Sequence, residues 1–162
     1  MTNESTEVAS KEIVISRTFD TPRQDLWQAW TQPDQIEQWW GPRGFTTRVD
    51  EMKFERGGNF KYTMLDADAN EYPSVGVFQE ITEPQRIVAT DEFGDSANND
   101  QAAPEGLPTG MITTTAFDEE NGKTTVTISI MHQSVADRKK HEGMGVVTGF
   151  NEQLDKLEEY LG

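Results

Sequence analysis

The chain has 162 residues and a formal net charge of −15, with a pI near 4.4 and a mean hydropathy of −0.71. That length suits one domain with a sizeable core. The charge disfavours nucleic acid and anionic lipid as partners, and the lack of cysteine excludes disulfides, thiolate catalysis and zinc–thiolate sites.

Residues 1–10 are polar and read as a flexible tail ahead of a single domain at residues 11–162. The tail lacks the charged-then-apolar order of a signal peptide, and no apolar run approaches the ~18 residues of a membrane span. Cytoplasmic residence without membrane insertion is the expectation. Ile13 to Phe19 reads as a first strand of β-branched residues. Thr21-Pro22 marks a helix start, with Thr21 as N-cap and Pro22 at the first helical position. That helix carries Leu26, Trp27 and Trp30 on one side. A second short helix begins at Pro33, runs through Ile36, Trp39 and Trp40, and is stopped by Gly41-Pro42.

Six further strands follow. The spacing predicts strands over 46–54 and around Phe60, Tyr62 and Met64, joined at the turn Arg56-Gly57-Gly58-Asn59. Strands at 72–80 and 86–93 flank Glu83-Pro84. Strands at 111–117 and 123–131 flank Glu119-Glu120-Asn121-Gly122. Between these pairs, 94–110 is a long loop rich in Gly, Pro, Asn and Asp, the composition of a lid or mobile edge.

The closing segment, 134–161, places Met144, Val147, Phe150, Leu154, Leu157 and Leu161 at steps of three and four, one face of a helix. An unbroken helix of roughly 27 residues would be about 40 Å long. Gly143, Gly145 and Gly149 interrupt it, and a break near Gly143 is expected to separate a short helix capped by Ser134 from the long one. The missing side chains at Gly145 and Gly149 are open to a second reading, room for a ligand. One long helix across a bent antiparallel sheet either covers it or encloses a cavity.

Chemical motifs are sparse. His132 and His141 lack an apparent third metal ligand, and solvated or capping roles are expected for both. Asp66-Ala67-Asp68-Ala69-Asn70 imitates the opening of a calcium loop, but Glu71 and Val77 stand where Gly and a bidentate Glu are required, so a hairpin turn is expected. No nucleophile elbow, phosphate loop or dinucleotide fingerprint is present. Neither a catalytic set, a metal nor a cofactor is expected. Glu92, beside Phe93, is the one acid singled out as able to face a cavity. Large apolar and aromatic groups are the better clue. Trp39, Trp40, Phe60, Tyr62, Met64, Tyr72, Phe78, Phe93, Met111, Met131, Met144, Val147 and Phe150 form either plain core or the lining of a ligand pocket, where Met adapts to varied shapes.

Four stretches together resemble a known family. They are Trp39-Trp40-Gly41-Pro42, Arg56-Gly57-Gly58-Asn59-Phe60, the run Gly76 to Ile81 followed by Pro84 to Val88, and the helical stretch from Gly143-Met144 to Leu157. The chain resembles, over about residues 11–162, the bacterial stand-alone form of the activators of the heat-shock-protein-90 ATPase, an AHSA-like branch of the START-like (SRPBCC) superfamily. The resemblance implies an α+β helix-grip fold: a curved antiparallel sheet wrapped around a long C-terminal helix, with two short helices after the first strand. It also implies a deep apolar cavity. Phe150 and Val75 depart from the Trp and His common in relatives, which removes a polar pocket contact. The expected function is binding of a small hydrophobic or amphipathic molecule. The alternatives are a cyclase or hydrolase on the same cavity, and a protein-interaction module acting on a chaperone in a stress response.

Overall fold

The computed structural model describes residues 10–93 and 110–162, with only the backbone at 92 and 93. The expected tail at 1–9 and lid-like loop at 94–109 lie outside the described residues.

β1 (Glu12–Phe19) alternates buried Ile13, Ile15 and Phe19 with outward Val14 and Ser16, the period of a half-buried strand. Two short helices follow, α1 (Arg23–Thr31) and α2 (Pro33–Trp39). α1 begins one residue later than its cap signal implies. Pro22 is the N-cap, its carbonyl accepting from the Asp25 N–H at 3.1 Å, while the Thr21 carbonyl is taken by the Thr124 hydroxyl. Pro33 sits in the first turn of α2, where its missing N–H costs nothing.

The chain then lays down β2 (Thr46–Met52), β3 (Asn59–Leu65), β4 (Glu71–Thr82), β5 (Arg86–Phe93), β6 (Met111–Glu120) and β7 (Lys123–Met131). All neighbours are antiparallel, in the order β1-β7-β6-β5-β4-β3-β2. The helical crossover therefore carries the chain from one edge of the sheet to the other, and a meander returns it strand by strand. Register shifts at Val49/Glu51 and Phe78/Glu80 add local twist, and the sheet is curved. Gly76 lets β5 approach closely, because a Cβ there would lie 2.4 Å from the Thr90 carbonyl oxygen.

The closing segment is two helices, α3 (Val135–Gly143) and α4 (Val146–Leu161). Ser134 caps α3, its hydroxyl accepting from the Asp137 N–H at 3.1 Å. The break falls at Met144-Gly145, directly after Gly143, where it is expected. Gly145 has φ +86°, left-handed backbone that Gly adopts without a Cβ penalty. The core lies where α1, α2 and the C-terminal half of α4 meet the sheet. Trp39, Leu154 and Leu157 are fully buried there, with Trp27, Phe117, Val126 and Ile128. Trp30 contacts both Trp39 and Phe117 edge-on, at 4.6 and 5.3 Å between ring centroids, an arrangement that aromatic quadrupoles favour.

Candidate functional site: a cavity between sheet and helix

The two halves of α4 do different things. Beyond Gln153 its inward residues reach the sheet side and fill the core. Before it, Val146, Gly149 and Phe150 stand off the inner face of β3–β6 and roof a cavity of about 290 Å³. The floor is set by strand alternation. β3 contributes Phe60, Tyr62 and Met64; β4 contributes Ser74, Gly76 and Phe78; β5 contributes Ile87, Ala89 and Asp91; β6 contributes Thr113 and Thr115. Trp40 and Pro42 close one side, and His141, Met144 and Gly145, at the break, close another.

Seven of the thirteen residues named from the sequence meet at this cavity: Trp40, Phe60, Tyr62, Met64, Phe78, Met144 and Phe150. The other six are placed elsewhere. Trp39 and Met111 are packed into solid core, and the Trp39 indole N–H donates to the Ala29 carbonyl at 3.1 Å. Tyr72 is exposed on β4, its hydroxyl donating to Asp66. Met131 points out of the opposite face of the sheet. Val147 is exposed because, at 3.6 residues per turn, Val146, Phe150, Gln153 and Leu157 share the inward line of α4 and Val147 lies to one side of it. The Phe93 side chain lies outside the described residues.

The loop at Trp40-Gly41-Pro42 is held against α4 by polar bonds. The Gly41 N–H donates to Gln153 Oε1 at 2.8 Å. Lys156 Nζ donates to the carbonyls of Gly41, Phe45 and Trp40 at 3.0, 3.3 and 3.4 Å. Burial is the main reason its ammonium titrates below the usual lysine value. These bonds fix one wall of the cavity to its roof.

Asp91 supplies a carboxylate among apolar groups. It falls in step with Ile87 and Ala89 along β5, so the period-2 pattern marks it as inward, and Glu92 falls on the other parity. The Glu92 side chain lies outside the described residues. The Tyr62 phenol, hydrogen-bonded with the Trp40 and Ser74 side chains, is pushed above its ordinary value, first by burial and then by the negative charge of Asp91. Thr113 Oγ1 and Gln153 Nε2 are buried without hydrogen-bond partners among the described residues.

The histidines differ from expectation. Neither is solvated nor caps a helix: His132 is 2% exposed and His141 is 5% exposed. His132 Nε2 lies 2.9 Å from His141 Nδ1, and His132 Nδ1 lies 2.8 Å from the Lys11 carbonyl oxygen. Burial, with a contribution from His132, pulls the His141 imidazole down to about 4, so it is neutral near pH 7. Their nine-residue spacing crosses a strand end and a helix, which gives no periodic signal of contact. The Asp66 carboxylate accepts from the Asp68 and Asn70 N–H groups, each at 2.9 Å, and from Tyr72, which is the bonding of a tight hairpin turn.

A family model described as activator of Hsp90 ATPase homolog 1-like protein matches residues 20–162. Among solved structures, a protein from Mycobacterium smegmatis superposes with a TM-score of 0.83 at 24% identity, covering 94% of this chain and 91% of that one. A protein from Nitrosomonas europaea superposes with a TM-score of 0.75 at 28% identity, covering 93% of each chain. An AHSA1-like protein from Aeromonas hydrophila gives 0.70 at 19% identity, covering 93% of this chain and 91% of that one. No curated protein matches the sequence at a significant level.

Proposed function

The chain belongs to the activator of Hsp90 ATPase homolog 1-like family, and from that premise we propose that it binds a small hydrophobic or amphipathic molecule without transforming it. The observation that carries this reading is the cavity of about 290 Å³ between the sheet and the first half of α4. Its volume lies near the lower end of the ~300–1,000 Å³ usual for small-molecule sites. At the ~0.75 packing density of protein interiors it holds a molecule of roughly ten to fifteen non-hydrogen atoms. The phenyl faces of Phe60, Phe78 and Phe150 supply the apolar contact, and the thioethers of Met64 and Met144 adapt to its outline.

Met144 provides the test. It lines the cavity and is 47% exposed, so a larger side chain there has room to extend without compressing the core. Met144→Trp is expected to leave the melting temperature within about 2 °C, well short of the ~1–3 kcal/mol loss of an overpacked core. The same change should weaken binding of a neutral apolar fluorophore that fits this size, such as 1-aminoanthracene, at least roughly tenfold. A clear loss of stability, with no fluorophore binding by the unmutated chain, would remove this reading.

A second reading, modulation of a chaperone ATPase, is supported by the family description and by an exposed apolar patch. Val14, Ile112 and Met131 share the outer face of β1, β6 and β7, with Ile112 directly opposite Met131. Its test is the ATP hydrolysis rate of an Hsp90-class chaperone with the chain and with its Met131→Lys variant. An unchanged rate in the presence of the chain would dismiss it.

A further inference from the structure

The cavity's chemistry is more specific than its volume. Among the described residues its lining contains one acid, Asp91, and one imidazole, His141, and neither lysine nor arginine. The cations near α4 are engaged on other faces. Arg17 pairs with Asp155 at 2.6 Å, Arg43 pairs with Glu159, and Lys156 is bound to the three carbonyls of the α2–β2 loop. Lys61 is paired with Glu51 at 3.7 Å. An anion entering this space would leave water, meet no opposite charge and face a carboxylate.

The polar groups that are present gather on neighbouring strands. Asp91 pairs with Met111 and Ala89 with Thr113, which makes Asp91 and Thr113 diagonal neighbours on the inner face. Tyr62 and Ser74 pair directly across β3 and β4, and the register Val75↔Glu92 brings the side-chain-free Gly76 beside Asp91. The cavity therefore has a polar end built from a carboxylate and hydroxyls, while Phe60, Phe78 and Phe150 make the rest apolar. A buried charge is tolerated when an opposite charge and hydrogen bonds accompany it, and is expensive otherwise.

We infer that the ligand of this cavity is an apolar molecule ending in a protonated amine or, less tightly held, a neutral hydroxyl, and that carboxylate-ended molecules such as fatty acids are rejected. The ammonium or hydroxyl sits against Asp91, within reach of the Thr113 hydroxyl, and the apolar body lies under Phe150. This inference rests on the ligand-binding reading above and adds the sign of the ligand's polar end.

A matched series tests it: decylamine, decanol and decanoate, which share one chain and differ at the head group. Each is titrated against 1-aminoanthracene bound to the 162-residue chain, near pH 7.5, in roughly 20 mM and again in about 0.5 M salt. The high-salt arm removes attraction of the amine to the acidic outer surface. Expected is decylamine tightest, decanol weaker, and decanoate weaker than decanol by roughly tenfold or more, with the order kept in high salt. Asp91→Asn should erase the advantage of decylamine over decanol. Asp118→Asn, at an exposed acid, should leave it intact. Decanoate binding as well as decanol, or an amine preference that vanishes in high salt, overturns the inference while leaving the cavity reading standing. Failure of all three to displace a bound fluorophore overturns it as well. A fluorophore that never binds removes the cavity reading itself. Should Asp91→Asn fail to fold, the ranking on the unmutated chain in high salt decides the matter alone.

Discussion

The buried pair His132–His141 gives a single-residue handle on stability. The His141 imidazole has an ordinary value of 6.5 and is pulled down to about 4 in the folded chain. Between those values the unfolded chain binds the additional proton, so stability from this group is complete above about pH 6.5 and is lost as pH falls toward 4. Between pH 7 and about 4.5 the loss amounts to about 2 kcal/mol. His141→Asn keeps a hydrogen-bonding group beside His132 but does not titrate. Urea unfolding at both pH values should show the unmutated chain losing about 2 kcal/mol more than the variant, since carboxylate titration is common to both. Equal losses would show that the pair does not govern acid sensitivity. No sequence signal announced this contact, because it joins a strand end to a helix through folding rather than through spacing.

At the scale of elements, the break between α3 and α4 separates two glycines that look alike in sequence. Gly143 is helical and Gly145 is left-handed, and a Cβ at either position meets nothing within 4 Å. Backbone conformation alone distinguishes them. Gly145→Ala is expected to destabilise by about 1 kcal/mol, the cost of holding an L-residue at positive φ. Gly143→Ala is expected to stabilise by about 0.5 kcal/mol, through better helix propensity and a less flexible unfolded chain. Chemical denaturation of the two variants checks the opposite signs, and stabilisation by both would place the break elsewhere. Periodicity located the amphipathic segment and Ser134 its start. It could not place the break to the residue, because Met144, Val147 and Phe150 fit an unbroken stripe. Within α4 it is Val146, not Val147, that lies in line with Phe150 and Leu157 on the inner face.

For the molecule as a whole, element order, antiparallel pairing and the helix across a curved sheet were legible, since alternation and turn residues are local signals. Membership of the site was less so. Residue type alone groups Tyr72 and Met131 with the inward aromatics and methionines, although Met131 is out of step with Ile128 and Ile130 and so faces solvent. Asp91 shows the converse, a carboxylate on an apolar parity that does not stand out among 29 acidic residues. Charge acts at this scale too. With 29 acidic against 14 basic residues, self-repulsion opposes the compact state, and the ion pairs described are mostly on exposed side chains. Raising salt from roughly 20 mM to 0.5 M should therefore stabilise by about 1 kcal/mol, or roughly 3 °C in thermal melting. A fall in melting temperature would mean that the surface ion pairs outweigh the repulsion.

The sheet's edge-to-edge crossover also sets the order in which the chain can assemble as it is synthesised. Among the described residues β1 pairs only with β7, and Glu12 reaches Ser129 across 117 residues of sequence. A ribosome adding ~5–20 residues per second releases β1 roughly 5–25 s before its partner exists. For that interval Ile13, Ile15 and Phe19 have no strand beside them, while β2 to β5 can already zip together through local hairpins. The acidity that weakens the finished fold protects the unfinished one. Neighbouring nascent chains carry the same sign of charge, and their repulsion keeps one waiting strand from pairing with another.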